Sequence, residues 1–209
     1  MSYQPLTLDE KTPSVVEHFV RQHLEMQFHD IHCMLRLPLP ELGINAGCNF
    51  AIANSLLALV SGLSALLTEN IDTTGNSGTL FKKLLLDYYP WDLQPPVVST
   101  KERSVDHLYD YFRNPLAHSL GLRSKGNFLI VIAKGILSEE AIEGLEKSPT
   151  PQAQAMEYTP ITIKNEQIEQ ITLYVEYFYW GIREMLRRLS SDTQQMQKTE
   201  QSLKSLGLV

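Results

Sequence analysis

Arg113, Asn114 and His118 are the residues whose types and spacing could do chemistry. They lie in SVDHLYDYFRNPLAHSLG, residues 104–121, with the arginine and the histidine five positions apart. Arginine is permanently charged and presents a planar donor fork that fits a phosphate. Histidine, with an ordinary pKa near ~6.5, takes up and returns a proton at neutral pH. Together they suit cleavage of RNA without a metal. The imidazole would take the proton of a ribose 2′-hydroxyl, and the guanidinium would hold the charge building on the phosphate.

Two helical pieces must position this pair. Val105, Leu108, Tyr109 and Phe112 recur at three- and four-residue steps, the apolar stripe of a packed helix. Pro115 removes a backbone donor and disfavours helical geometry at Asn114. Asn is a good N-cap and Pro is favoured at the first helical position, so the pattern predicts a break and a new helix from Asn114. His118 then falls about one turn into that helix. An unbroken helix would set Arg113 and His118 roughly 140° apart and about 7.5 Å along the axis. The break lets the guanidinium fold back towards the imidazole. An arginine before Asn-Pro is equally an ordinary joint between two helices, and that reading stands beside the chemical one.

The string FRNPLAHS resembles the arginine–polar–x3–histidine signature of the HEPN superfamily. Its members are small helical domains, many of them metal-independent endoribonucleases in toxin–antitoxin, phage-defence and RNA-processing systems. The resemblance implies a mainly all-α fold, an antiparallel bundle of four to five helices. It also implies a homodimer that brings two motifs into one cleft. By that resemblance Arg113 and His118 are catalytic and Asn114 is the supporting polar residue. RNA is the implied substrate, an antitoxin or regulatory protein is a possible partner, and no cofactor or metal is called for. Some members of such superfamilies keep the fold without the chemistry, so a non-catalytic module binding nucleotide, RNA or protein is the alternative.

The remaining chain describes a scaffold. Its 209 residues suit one domain with a core that needs no staples. A net charge of −6 counts against general attraction of polyanions. Around the motif the balance reverses, with Lys101, Arg103, Arg113, Arg123, Lys125 and Lys134 against Glu102, Asp106 and Asp110. Cys33 and Cys48 have no metal-site spacing and make no disulfide framework, which suits a cytoplasmic protein. The N-terminus lacks the basic start and apolar core of a signal peptide.

In chain order, residues 1–12 read as an irregular arm and 13–190 as the helical domain. The first helix runs from Pro13 or Ser14 to Leu37. On it Glu25, His29 and His32 share a face and form at most half of a metal site, with no second Glu-x-x-His to complete it. Asn49 to Leu67 is the most apolar segment. Its serines and asparagines, and the lack of flanking cations, make it a central buried helix rather than a membrane span. Its Ala51, Ala58, Gly62 and Ala65 would admit close neighbours, and Asn54 and Ser61 would turn a polar stripe towards the motif helix. A third helix carries Leu80 to Tyr88, and a proline-rich connector follows.

Residues of about 122–163 read as a small two-stranded β insertion. Its strands are Asn127–Gly135 and Thr159–Ile163, with a short helix at Ser138–Glu146. The last long helix is expected over Asn165–Leu189, its aromatic cluster packing inside, and 191–209 as a polar tail.

Overall fold

A computed structural model describes residues 3–37, 48–67, 75–93, 99–119, 128–134, 154–205 and 207. Helix α1 covers 14–35, its α-helical parts Ser14–Phe19 and Glu25–Leu35 joined by a π turn at Val20–Leu24. Helix α2 is Asn49–Ala65, and α3 is Ser77–Tyr88 with a 3-10 turn at Trp91–Leu93 after it. Helix α4 covers 101–119 as Lys101–His107, a π turn at Leu108–Arg113, and Asn114–Ser119. Strands β1 (Phe128–Ala133), β2 (Met156–Ile163) and β3 (Glu166–Tyr174) follow. Helices α5 (Val175–Ser191) and α6 (Thr193–Ser205) end the described chain.

The all-α expectation is overturned. Among the described residues the fold is mixed α/β, with six helices and a three-stranded sheet in the order β1-β3-β2. Strand β1 runs parallel to β3, and β2 runs antiparallel to it. The missed strand is β3, which the sequence pattern assigns to the last helix. Ile171, Val175, Phe178 and Ile182 continue one helical stripe, and that stripe hides the change of period at Tyr174. The decisive local feature is the turn. Lys164 and Asn165 have positive φ (51° and 67°), as both central residues of a two-residue I′ hairpin require. Once that turn closes, β3 pairs with β2 and shields the apolar ladder of β1 on its other side.

The register explains why this sheet is no decoration. Ile171 stands between Ile130 and Tyr158, and Leu173 between Ile132 and Met156, so one face carries all six. Ile171 and Leu173 are fully buried in the same core as Phe28, Phe81, Phe112 and Phe178. The expected two-stranded insertion at about 122–163 is therefore an integral sheet face that extends to Tyr174. Strand β1 is tied to the bundle at its far end. Asn49 Nδ2 donates to the Ile132 carbonyl at 3.3 Å, and Lys134 Nζ donates to the Met34 and Leu37 carbonyls at 3.2 and 2.9 Å. A cation at the last carbonyls of α1 also opposes its helix dipole.

Other expectations meet the structure in part. The first three helices lie where the periodicity puts them. Of the small residues expected to admit close neighbours, Ala51, Ala58 and Gly62 are exposed and Ala65 is half-buried, while Ala53, Leu56, Leu57 and Val60 are buried. The N-terminal arm is irregular yet docked, with Leu6 in the core and Arg183 donating to the Gln4 and Pro5 carbonyls. Residues 193–205, expected as polar tail, form α6, which buries Met196 and Leu203. The short helix expected at 138–146 lies outside the described residues. None of the described helices is long and apolar enough to cross a membrane.

Candidate functional site

Helix α4 starts on Thr100, whose side chain accepts the Arg103 N–H. It then continues without the break expected at Asn114. Asn114 is helical, with φ −66° and ψ −48°, and its N–H bonds back five residues to the Tyr109 carbonyl. The π turn just before Pro115 is the physical reason. Proline lacks the donor and crowds the carbonyl four residues back, and a widened turn takes up that misfit without ending the helix. Asn114 is thus an interior residue and not a cap.

The chemistry of the segment now divides between its two ends. Arg113 is half-buried, and three elements touch its guanidinium or the ring beneath it. Its Nε donates to Ser61 Oγ of α2 at 3.4 Å, and its Nη1 donates to Asn114 Oδ1 at 3.1 Å. Ser61 hydroxyl itself donates to the Leu57 carbonyl at 2.9 Å, leaving lone pairs for the guanidinium. The guanidinium carbon stands 5.6 Å from the centre of the Tyr109 ring, within cation–π range. Ser61, Asn114 and the Tyr109 ring are neutral groups that orient the fork. The polar stripe expected from α2 reaches the motif through Ser61, whereas Asn54 is exposed. His118 lies in the helical run Asn114–Ser119, and its side chain lies outside the described part of the structure. With the helix unbroken, the backbone separates positions 113 and 118 by roughly 140°.

The cations expected around the motif are partly committed elsewhere. Arg103 pairs with Glu169 of β3 at 2.8 Å, and Lys134 caps α1. Arg123 and Lys125 lie outside the described residues. Lys82 of α3 was not singled out from sequence. Its Nζ stands 5.4 Å from the centre of the Tyr109 ring and bonds Asp106 at 2.7 Å.

A second polar cluster on α4 escaped the sequence altogether. His107 Nδ1 lies 3.2 Å from the Tyr158 hydroxyl, which also bonds Ser104 Oγ at 3.3 Å. Tyr111, Phe128 and Tyr158 surround the imidazole with rings. Burial, followed by the charge of Arg103, pushes the His107 pKa below its ordinary value. The only sequence signal is weak, since Ser104 and His107 fit the three-residue spacing of the apolar stripe and so look like gaps in it.

On α1 the expected half-site dissolves. Glu25 accepts the Tyr3 hydroxyl at 2.5 Å, the Leu6 N–H at 2.7 Å and Arg21 at 2.7 Å, so its carboxylate fastens the N-terminal arm. His32 is 3% exposed beside the Tyr3 ring, while His29 is exposed. Among the described residues no group of three His, Cys, Asp or Glu could hold a metal ion. A shallow cleft lined mainly by apolar side chains, Leu8, Phe19, Leu63 and Leu186 among them, has none of its lining residues on α4.

Burial, aided by the nearby Arg36 and Arg183, lowers the His32 pKa to about 4. The unfolded chain takes up that proton near pH ~6.5. Between the two values the unfolded state binds more protons, so stability rises with pH. The contribution is whole above ~6.5 and is lost as the pH falls towards 4, a fall of roughly 3 kcal/mol. His107 adds in the same direction. Urea unfolding at a series of pH values from 7.5 to 4 should show this slope, and His32→Asn should flatten it. A slope as steep in the variant as in the wild type would remove His32 from the account.

No protein-family model, no curated protein and no solved structure matches the chain.

Proposed function

We propose that the chain is a metal-independent endoribonuclease of HEPN type that works as a homodimer. His118 acts as general base and then general acid, Arg113 stabilises the phosphate, and Asn114 supports the arginine. The 2′-oxygen, relieved of its proton by the imidazole, attacks phosphorus and forms a 2′,3′-cyclic phosphate. The leaving 5′-oxygen takes the proton back from the imidazolium. One observation carries the reading. The Arg113 fork is oriented by Ser61, Asn114 and the Tyr109 ring, on the helix that also carries His118. Single-stranded RNA incubated with the purified protein in EDTA should be cut and leave cyclic-phosphate ends. Intact RNA at micromolar protein would reject the activity. A cytoplasmic location and an antitoxin or regulatory partner belong to the same proposal.

A second reading is a non-catalytic module that binds RNA, nucleotide or protein. Two observations favour it, the net charge of −6 and the continuous helix that separates positions 113 and 118. Thermal shift with RNA and nucleotides, run beside the cleavage assay, separates the two. Stabilisation without turnover is the mark of the module.

A further inference from the structure

We infer that the open edge of β1 is a docking edge for a second copy of this chain, paired antiparallel through β1 of both copies about a two-fold axis. The inference stands apart from the chemistry of Arg113 and His118, and it gives the proposed homodimer an interface. Strands buried on both faces read as continuous apolar runs, while edge strands carry charge or proline that keeps them from pairing further. This sheet has the order reversed. Its central strand β3 reads EQIEQITLY, and the wholly apolar FLIVIA lies at an edge as β1. The two edges also differ. Strand β2 carries Glu157 and Pro160, whereas β1 contains neither charge nor proline. Among the described residues β1 pairs only with β3, and the one further hydrogen bond to its backbone runs from Asn49 to the Ile132 carbonyl. Phe128, Leu129, Ile130 and Val131 are each half-buried, as a strand with one side unfilled should be.

Of the extended segments described, β1 itself fits this edge best. It is already held extended, by β3 along one side and by Asn49 and Lys134 at its end, so docking orders no new segment. Being uncharged, it meets its own copy without like charges facing each other. An antiparallel pair about a two-fold axis makes one sheet in the order β2-β3-β1-β1-β3-β2. Both outer edges are then β2 with its proline, so the assembly closes at two copies and does not grow into a fibre. Phe128 packs on the His107 and Tyr111 rings of α4, so the pairing sets the α4 helices of both copies beside the interface.

The test uses the full chain, with light scattering after size exclusion and amide hydrogen exchange at about 1 and about 100 μM protein. The wild type should be a dimer at the higher concentration. Those amides of Phe128–Ile132 that do not bond β3 should exchange more slowly there than at the lower one. Val131→Lys, which puts a charge on the strand as natural edges do, should raise the dimer Kd roughly ten-fold or more. Thr162→Lys, on the exposed end of β2, should leave it unchanged. If Val131→Lys loses its far-UV circular dichroism, the wild-type exchange data decide alone. A wild type that is monomeric at about 100 μM overturns the inference. Protected β1 amides in that monomer would mean that the chain's own residues cover the edge, and fast-exchanging ones that the edge is left for a different protein. A dimer whose β1 amides exchange equally at both concentrations, or one unaffected by a folded Val131→Lys, overturns it as well, because the copies then meet elsewhere.

Discussion

His118→Ala is expected to lower RNA cleavage by about 10²–10⁴-fold, the usual contribution of a positioned general acid–base. Arg113→Ala should lose about 10²–10³-fold, as when one donor to a developing oxyanion is removed. Arg113→Lys should recover little of that loss, because an ammonium has no planar fork to rest on Ser61, Asn114 and the Tyr109 ring. The two losses should not add, since base and clamp serve one transition state. A mixing experiment follows from the backbone. With positions 113 and 118 roughly 140° apart on one helix, an arginine and a histidine that cooperate should come from different copies. Equal amounts of Arg113→Ala and His118→Ala protein, refolded together, should regain cleavage that neither shows alone. Recovery is the expected result. Full wild-type activity in His118→Ala would remove the imidazole from the mechanism.

The helical part of the fold was legible because its signals are local. The stripes of α1, α3 and α4 each repeat over two or more turns, and Pro90 and the glycines at positions 43 and 47 of the sequence punctuate them. The sheet was legible only in β1, whose FLIVIA run has no polar residue to share with a helix. Strand β3 was not, because its pairing is fixed from a distance. EQIEQITLY is neutral between helix and strand until the Lys164–Asn165 turn folds it back on β2 and β1 takes its other edge. Helix α6 was missed for a similar reason. Its composition is polar, and its place comes from Leu66, whose carbonyl accepts from Gln195 and Thr199.

The candidate site divides in the same way. Types and spacing mark Arg113, Asn114 and His118, and Ser61 follows from its position on α2. The expected break at Pro115 was the natural inference from proline chemistry, and it failed because a π turn can absorb a proline. No sequence rule separates those outcomes, since Leu108–Arg113 carries no glycine or other breaker to mark a widened turn. Tyr109 reads as one more stripe residue, and only the approach of Gly78 shows that its ring has a fixed place. His107 and Ser104 are likewise invisible until Tyr158 arrives from the far side of the sheet.

Gly181→Ala should destabilise the fold by about 2–4 kcal/mol, against a helix propensity that favours alanine by about 1 kcal/mol. Gly181 lies inside α5, and a Cβ there would come within 2.5 Å of Tyr89 Cε2 and closer to its Cζ and hydroxyl oxygen. The ring cannot step aside. Trp91 meets it at 4.6 Å with its own indole N–H bound to the Leu85 carbonyl, and Phe178 meets it at 5.9 Å. Among the described atoms the buried Tyr89 hydroxyl has no hydrogen-bond partner, so the ring is held there by packing alone. Two consequences separate this account from a general intolerance of mutation in α5. Tyr89→Phe removes a desolvated hydroxyl and should be neutral or stabilising by up to about 1–3 kcal/mol. Tyr89→Leu in the Gly181→Ala background should restore part of the loss, because removing the ring relieves the clash that the new Cβ makes. Urea unfolding of the wild type, Gly181→Ala, Tyr89→Leu and the double variant measures the coupling directly. A Gly181→Ala protein as stable as the wild type would mean that α3 and α5 are not packed this closely at Tyr89.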